Sequence, residues 1–516
     1  MRVSKSSAAL PPSRLFLYSS RGSLLAVVTG LALLVTLSAW WFFHRGYILY
    51  YGDAESHLNI SRGLIDSRTT GYDQLGTVWL PVLHLICIPF VRYDSLWITG
   101  LAGTIPVAIC FVVAGTFFFL TLREAYANTA AALIGLLCFV LNPNILYLAV
   151  IPMTEIVFMA SLFAILYTVY RFEASQNCLW IVLAVPLAWA LSLTRYDGWF
   201  LLPFLGAWFA FVAQRRRLII LFTFGAAVSL APLYWIAHNW WETGNALDFI
   251  NGPYSPVAIQ KGAPYPGYED WTVAAQYYFN AGRLCAGIGL VALGVAGAWF
   301  AYRRRLLLPF LFLLLTPLFY LWSMHSSGGS PIHVPSLWPF SYYNTRYGIA
   351  LVPLCAFAAG ALALSLPPSS RKFLFVIPAL AVLPWLVHPS EQRWICWKES
   401  QVNSVDRRAW TMAGARFFRT NYQPGQTILA SAGDVTGIFR VAGIHLTATL
   451  NIANGPNWLL ASTRPDLYHP GSWLVCQSDD SLSRSLAKHA APYSLVKIVS
   501  TSRYSPDLLI SSRHLP

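Results

Sequence analysis

Long apolar runs separated by short polar stretches organise most of this chain. They fall at 22–43, 96–122, 129–150, 155–170, 179–194, 198–213, 218–237, 284–302, 306–322, 347–366 and 373–388. Several are shorter than the ~20 residues of an average spanning helix, yet together they predict a mostly α, polytopic membrane part of about eleven transmembrane helices. The first run follows Arg14 and Arg21 but is long for a signal-peptide core and lacks a small-residue cleavage site, so it reads as a retained helix. After 389 the pattern changes. A helix-like stretch at 404–420 precedes short strand-like runs at 427–432, 445–450, 472–477, 493–500 and 507–511. The chain therefore divides into a membrane domain at 1–389 and a small α/β domain at 390–516, large enough for its own core.

Composition agrees: 56% of the 516 residues are hydrophobic and 11% charged, roughly half the charged fraction of a soluble globular protein. A net charge of +14 would suggest nucleic acid in a soluble chain, but here the basic residues punctuate the apolar runs. Arg123, Arg171, Arg215-Arg216-Arg217, Arg303-Arg304-Arg305 and Arg371-Lys372 occupy alternate connections, with Arg2, Lys5, Arg14 and Arg21 ahead of the first run. By the positive-inside rule the N-terminus is cytoplasmic, and the richer connections 44–95, 151–154, 195–197, 238–283 and 323–346 lie outside with everything after 389. The expected partner is the bilayer, not nucleic acid. Of the eight cysteines, Cys396 and Cys476 alone fall after 389, where an oxidising compartment permits a disulfide; no spacing resembles a zinc site.

The candidate chemistry begins at Gly52-Asp53-Ala54-Glu55-Ser56-His57, where carboxylates stand beside lipid and are costly to desolvate. Ala54, Leu58, Leu64 and Ile65 against Glu55, Asn59 and Arg62 predict an amphipathic helix along the outer membrane surface. A structural reading is open for this stretch: Gly52 or Asp53 caps the helix, and Glu55 complements its dipole. The long polar loop that follows, through Gln74-Leu75-Gly76-Thr77-Val78-Trp79-Leu80-Pro81, favours function for Asp53. Glu155 opens a span, where acidic groups are favoured. Arg195 and Asp197 form a local ion pair across a tight connection. His57 is either a partner of Asp53 or a hydrogen-bonded structural residue, and His84, His325 and His333 either contact substrate or are structural in the same way. Asn59-Ile60-Ser61 matches a glycan-acceptor sequon. Gly433-Asp434 and Asn454-Gly455-Pro456-Asn457-Trp458 read as turns.

The segment Gly52 to Arg62, with Gln74 to Pro81, resembles the first outer loop of the bacterial GT-C superfamily of integral-membrane glycosyltransferases. Pro152-Met153-Thr154-Glu155, Leu193-Thr194-Arg195-Tyr196-Asp197-Gly198-Trp199 and Tyr343-Asn344-Thr345-Arg346-Tyr347-Gly348 resemble later motifs in the same order. The resemblance implies a mannosyltransferase-like enzyme of the bacterial inner membrane. It would move a sugar, with inversion, from a polyprenyl-phosphate donor to a hydroxyl of a glycan, lipid or protein acceptor on the outer face. It implies an acidic catalytic base in the first loop: Asp53 matches, with Glu55 beside it. A carboxylate is ionised at neutral pH and can take the proton of an attacking hydroxyl without a metal. Arg346 suits the departing lipid phosphate, since a guanidinium stays charged and offers two donors at once; the alternative is snorkelling to headgroups. His57, Glu155, Arg195 and Tyr347 are the implied supporting or substrate residues. No cofactor is required; where relatives use a divalent cation such as Mg or Mn, Asp53, Glu55 and Glu155 would supply the oxygens.

A transporter or flippase is the alternative from another class, but its ionisable groups usually sit near the midplane and its halves are often related. Here the charges gather at the outer rim. An oligosaccharyltransferase-like enzyme normally carries Trp-Trp-Asp in the outer domain, whereas this chain has Trp240-Trp241-Glu242 at the end of a span. A polysaccharide ligase would share the donor and loop, and residue spacing does not name the acceptor.

Overall fold

The computed structural model describes residues 14–431, 435–468, 471–489, 493–503 and 505–513; Arg2, Lys5 and Gly433-Asp434 lie outside the described residues. Among the described residues, six helices are long and apolar enough to cross a membrane: Gly22–His44, Leu101–Tyr126, Thr154–Ser175, Arg217–Thr243, Leu307–Ser326 and Thr345–Ser365. Trp271–Ala286 and Ile288–Arg303 add a seventh if this pair, bent by 108°, makes one span. The break falls at Gly287, whose φ of +80° suits a residue without Cβ. Thr129–Val140, Leu179–Ser192, Tyr196–Val212 and Val376–Val387 stand where further spans were expected, but are 12 to 17 residues long. Length and composition alone thus account for six or seven of the eleven. The expected 129–150 span is broken because Asn142 caps a new helix, Pro143–Leu148, accepting from Asn144 N at 2.9 Å, with proline in its first turn.

Phe118, Phe139 and Phe163 meet at the centre of the helical part, their ring centroids 4.6 to 5.6 Å apart. The Thr154–Ser175 helix is 83% buried over its apolar window, whereas Gly22–His44 and Arg217–Thr243 are only 17% and 22% buried. Faces that bare Leu33, Leu37, Phe222, Leu230 and Leu233 need an apolar solvent. The chain is a multi-pass membrane protein.

The C-terminal segment folds as a five-stranded mixed sheet in the order β2-β1-β3-β5-β4. Its strands are β1 (Ile428–Ala430), β2 (Thr449–Leu450), β3 (Trp473–Gln477), β4 (Tyr493–Val499) and β5 (Leu508–Arg513). β1 runs parallel to β2 and β3, while β5 runs antiparallel to β3 and β4. Alternate residues of β3 serve two cores. Trp473 and Val475 pack with Trp410, Phe418 and Phe439, and Leu474 and Cys476 with Leu450 and Leu482. The possible Cys396–Cys476 disulfide does not form. Both thiols are free and buried, Cys396 among the membrane helices and Cys476 within the sheet core.

The helix expected after Asp53 forms at Gly52–Gly63, but its polar side is not open. Glu55, Asn59 and Arg62 are all buried because the C-terminal unit covers them. Arg440 grips both oxygens of Glu55 at 2.5 and 2.8 Å, Asn59 donates to Thr436 at 3.2 Å, and Arg62 meets Asp66 at 2.7 Å and Asp94 at 2.6 Å. Further along the loop, Gln74 donates to Ala453 O at 2.7 Å, and Asn454 donates to Ser67 at 3.1 Å. Burial works to raise the Glu55 carboxyl, but the Arg440 charge and hydrogen bonds outweigh it and hold the group below its ordinary value. Asn59 of the sequon is buried and bonded to Trp97 at 3.1 Å, so it is no glycan acceptor in this fold.

Removing one partner of such a buried pair strands the other charge. Arg440→Ala is expected to destabilise the protein by roughly 3–5 kcal/mol, and adding Glu55→Gln to recover part of that loss, both read as thermal midpoints of the purified protein. Equal midpoints for wild type and Arg440→Ala would mean that this contact does not hold the loop.

Candidate active site

Asp53 and Glu55 both lie in the first turn of the Gly52–Gly63 helix. Two residues apart on a helix is about 200° of rotation, so their side chains leave in opposite directions. Glu55 goes to Arg440. Asp53 goes to Arg346, whose Nη2 donates to its Oδ2 at 2.6 Å across 293 positions of chain.

Arg346 opens the last long span in a 3-10 turn, Thr345–Ala350. Gly348 allows that turn to lie against the Trp271–Ala286 helix, since a Cβ there would come within 2.3 Å of the Ala281 backbone. The guanidinium is gripped on three edges. Besides Asp53, Nε donates to Glu155 Oε1 at 3.3 Å and Nη1 to Glu399 Oε1 at 3.2 Å. The rings of Tyr51 and Tyr347 flank it at 4.9 and 5.2 Å from their centroids. Three of its five N–H groups are used by carboxylates, which leaves two for another acceptor.

Glu155 joins this centre to a second arginine. Its Oε1 also receives Arg195 Nη1 at 3.2 Å, while Oε2 is buried without a hydrogen-bond partner. Arg195 makes the expected local pair with Asp197 at 3.2 Å, and reaches beyond it to Thr154 and to the Tyr320 hydroxyl, each at 2.7 Å. Tyr320 donates in turn to Asp197 at 2.9 Å and stacks on Tyr347 at 4.8 Å. Asp53, Glu155, Arg195, Arg346 and Tyr347 therefore converge. Four carboxylates face two guanidiniums, and only Asp53 is substantially open, its side chain 39% exposed against 3% for Glu155 and 2% for Glu399.

His57, one turn after Asp53, is hydrogen-bonded through its Nδ1 to His84 Nε2 at 2.9 Å. Burial, with the Arg346 and Arg195 charges adding to it, lowers the His57 imidazole to about 3, so it is neutral at physiological pH. The unfolded chain binds a proton near pH 6.5 that the folded chain refuses until about 3, so this site's stability is complete above pH 6.5 and declines below it. The melting temperature of wild type is expected to fall more between pH 7 and 5 than that of His57→Gln. Parallel curves would count against a buried neutral His57.

Asp53, Glu55 and Glu155 do not form a ligand set, because the helix turns Glu55 away. Among the described residues no three His, Cys, Asp or Glu side chains are placed to hold a metal ion. Sequence reasoning missed Glu399, Tyr51 and Tyr320. For Glu399 a signal existed: Ile395-Cys396-Trp397 ahead of it is an apolar run that packs into the membrane core. The two tyrosines stand among many, with nothing local to mark them.

No family model and no curated protein matches the chain. Its fold does have counterparts among solved structures. ArnT from Cupriavidus metallidurans bound to undecaprenyl phosphate aligns over 93% of this chain and 98% of its own, with a TM-score of 0.58 and 12% identity. The same protein in the apo state aligns over 95% and 98%, with a TM-score of 0.55 and 12% identity. The Archaeoglobus fulgidus oligosaccharyltransferase in the apo form aligns over 94% of this chain and 74% of its own, with a TM-score of 0.50 and 14% identity. By this likeness over nearly its whole length, the chain has the ArnT-like GT-C fold.

Proposed function

We propose that the protein is an inverting glycosyltransferase that moves a sugar from a polyprenyl-phosphate donor to an acceptor hydroxyl at the outer face of a bacterial inner membrane. The observation that carries this reading is the pairing of Asp53 with Arg346: an accessible carboxylate held beside a buried guanidinium that keeps two N–H groups free. Asp53 accepts the proton of the acceptor hydroxyl as its oxygen attacks the anomeric carbon. The bond from that carbon to the lipid phosphate breaks on the opposite face with its electron pair, and Arg346 receives the phosphate. Glu155, itself held by Arg195, and Tyr347 hold Arg346 in place, and neutral His57 follows the base by one helical turn. An ionised carboxylate needs no metal for this step.

In this reading the N-terminus is cytoplasmic, the loop 44–95 carries the base, and residues 390–516 form an extracytoplasmic unit that covers the loop and meets the acceptor. Undecaprenyl phosphate bound to ArnT, a protein of similar fold, is consistent with a lipid-phosphate donor. The test is release of polyprenyl phosphate by the purified protein from a panel of polyprenyl-phosphate sugars, with lipid, glycan and peptide acceptors supplied. Silence across the panel would sink the assignment.

A further inference from the structure

The proposed reaction gives no task to two buried carboxylates of the cluster, Asp197, which pairs with Arg195 and Tyr320, and Glu399. Glu399 is 1% exposed, and its hydrogen bonds go to a single residue: Oε2 accepts from the backbone N of Arg346 at 2.9 Å and Oε1 from its Nη1 at 3.2 Å. One carboxylate thus ties the root of the arginine to its tip and restricts the rotamers between them. Burial pushes the Glu399 carboxyl above its ordinary range, with Arg346 opposing that rise. A group so costly to bury needs its partner.

The helix that carries it, Ile395–Asn403, is fastened from several directions. Cys396 N donates to Asn144 Oδ1 at 3.0 Å, Tyr51 donates to Cys396 O at 2.7 Å, and Tyr147 meets Ser400 at 2.8 Å. Ile395, Cys396 and Trp397 sink into the membrane core. Tyr51 directly precedes the helix that presents Asp53, so one of the ties that place Glu399 runs to the root of that helix. Glu155 is shared with Arg195 and Asp53 is partly open, whereas Glu399 is buried and its hydrogen bonds go to Arg346 alone.

We propose that Glu399 is a positioning residue for donor recognition: it presets the Arg346 guanidinium so that the lipid phosphate meets two oriented N–H groups, which makes the segment after the last apolar helix part of the donor site. This rests on Arg346 as the phosphate ligand. A preset donor gains affinity because less freedom is lost on binding.

The test uses the full-length protein in detergent and two readouts: affinity for polyprenyl phosphate alone, and the split of KM and kcat with an active sugar donor. Glu399→Gln is expected to weaken polyprenyl phosphate binding and raise donor KM by roughly tenfold, the scale of one charge-assisted hydrogen bond, while kcat moves far less. Glu399→Asp keeps the charge on a shorter stem and falls between. Because Glu399 acts through the guanidinium, Glu399→Gln should add less than about twofold in an Arg346→Lys background, whereas a merely structural residue would act independently. Unchanged polyprenyl phosphate affinity in Glu399→Gln, or in Glu399→Asp should the first variant not fold, overturns the positioning role, as does full additivity with Arg346→Lys. If Arg346→Lys also binds normally, the phosphate assignment of Arg346 falls with it; if only the Glu399 variants do, that assignment stands.

Discussion

Asp53→Asn is expected to lower kcat by about 10²- to 10⁴-fold, the usual contribution of a positioned general base, with donor affinity close to wild type. The amide is nearly isosteric and its oxygen can still accept from Arg346 Nη2, so the 2.6 Å contact and the local fold survive. What disappears is the capacity to hold a proton. Asp53 Oδ2 takes the arginine, which leaves Oδ1 for the acceptor hydroxyl, and the partial exposure of this side chain gives an acceptor room to approach. Steady-state transfer with saturating donor reads the effect. A variant that folds normally and transfers at the wild-type rate would remove Asp53 from the chemistry.

Arg346→Ala is expected to show the largest combined effect. Truncation withdraws the guanidinium from Asp53, Glu155 and Glu399 together, leaving two of these carboxylates buried with less counter-charge. Breaking a buried ion pair costs roughly 3–5 kcal/mol, so a lower melting temperature should accompany the loss of function. Binding is separable from stability: affinity for polyprenyl phosphate, measured on the folded fraction, should fall by roughly 10²-fold, since charged hydrogen bonds to phosphate contribute about 1.5–3 kcal/mol each. Arg346→Lys keeps a charge but cannot span three carboxylates and a phosphate from one point. It should recover stability more than affinity. Wild-type affinity in a folded Arg346→Ala protein would assign the arginine to the ion-pair network alone.

How far the sequence discloses this centre depends on how far each signal is local. Asp53, Glu155, Arg195 and Arg346 lie in short polar motifs at the ends of apolar runs, and those motifs were enough to group them. The divergence of Glu55 from Asp53 was also legible, because the helical period separates residues two apart while keeping Asp53 with His57 and Glu55 with Asn59 and Arg62 on their own sides. What no local pattern states is which side another part of the chain will cover. Glu55, Asn59 and Arg62 resemble a solvated face until Arg440, Thr436 and His445 arrive from nearly 400 residues away. Glu399 was hidden by treating everything after 389 as separate, although its helix returns to the membrane part. The strands after 427 were readable as short apolar runs between turn-like stretches, since β1 and β3 are buried on both faces and carry no alternation. The crossing helices were readable as apolar runs but not as complete spans, since Asn142 and Gly287 interrupt two of them where tertiary contacts decide the break.

The Asp53–Arg346 contact also fixes an order of events at the ribosome. Asp53 and Glu155 are synthesised before either arginine that neutralises them, Arg346 follows Asp53 by 293 positions, and Glu399 comes later still. Until most of the membrane part has been inserted, the first loop therefore carries uncompensated negative charge, which keeps it in water rather than in lipid. The ion-pair cluster is complete only after Glu399, beyond the final apolar helix, has been made. On the proposed reading, a nascent chain holds its base early but lacks the guanidinium that would meet a lipid phosphate, so translation itself delays the first turnover until the scaffold is in place.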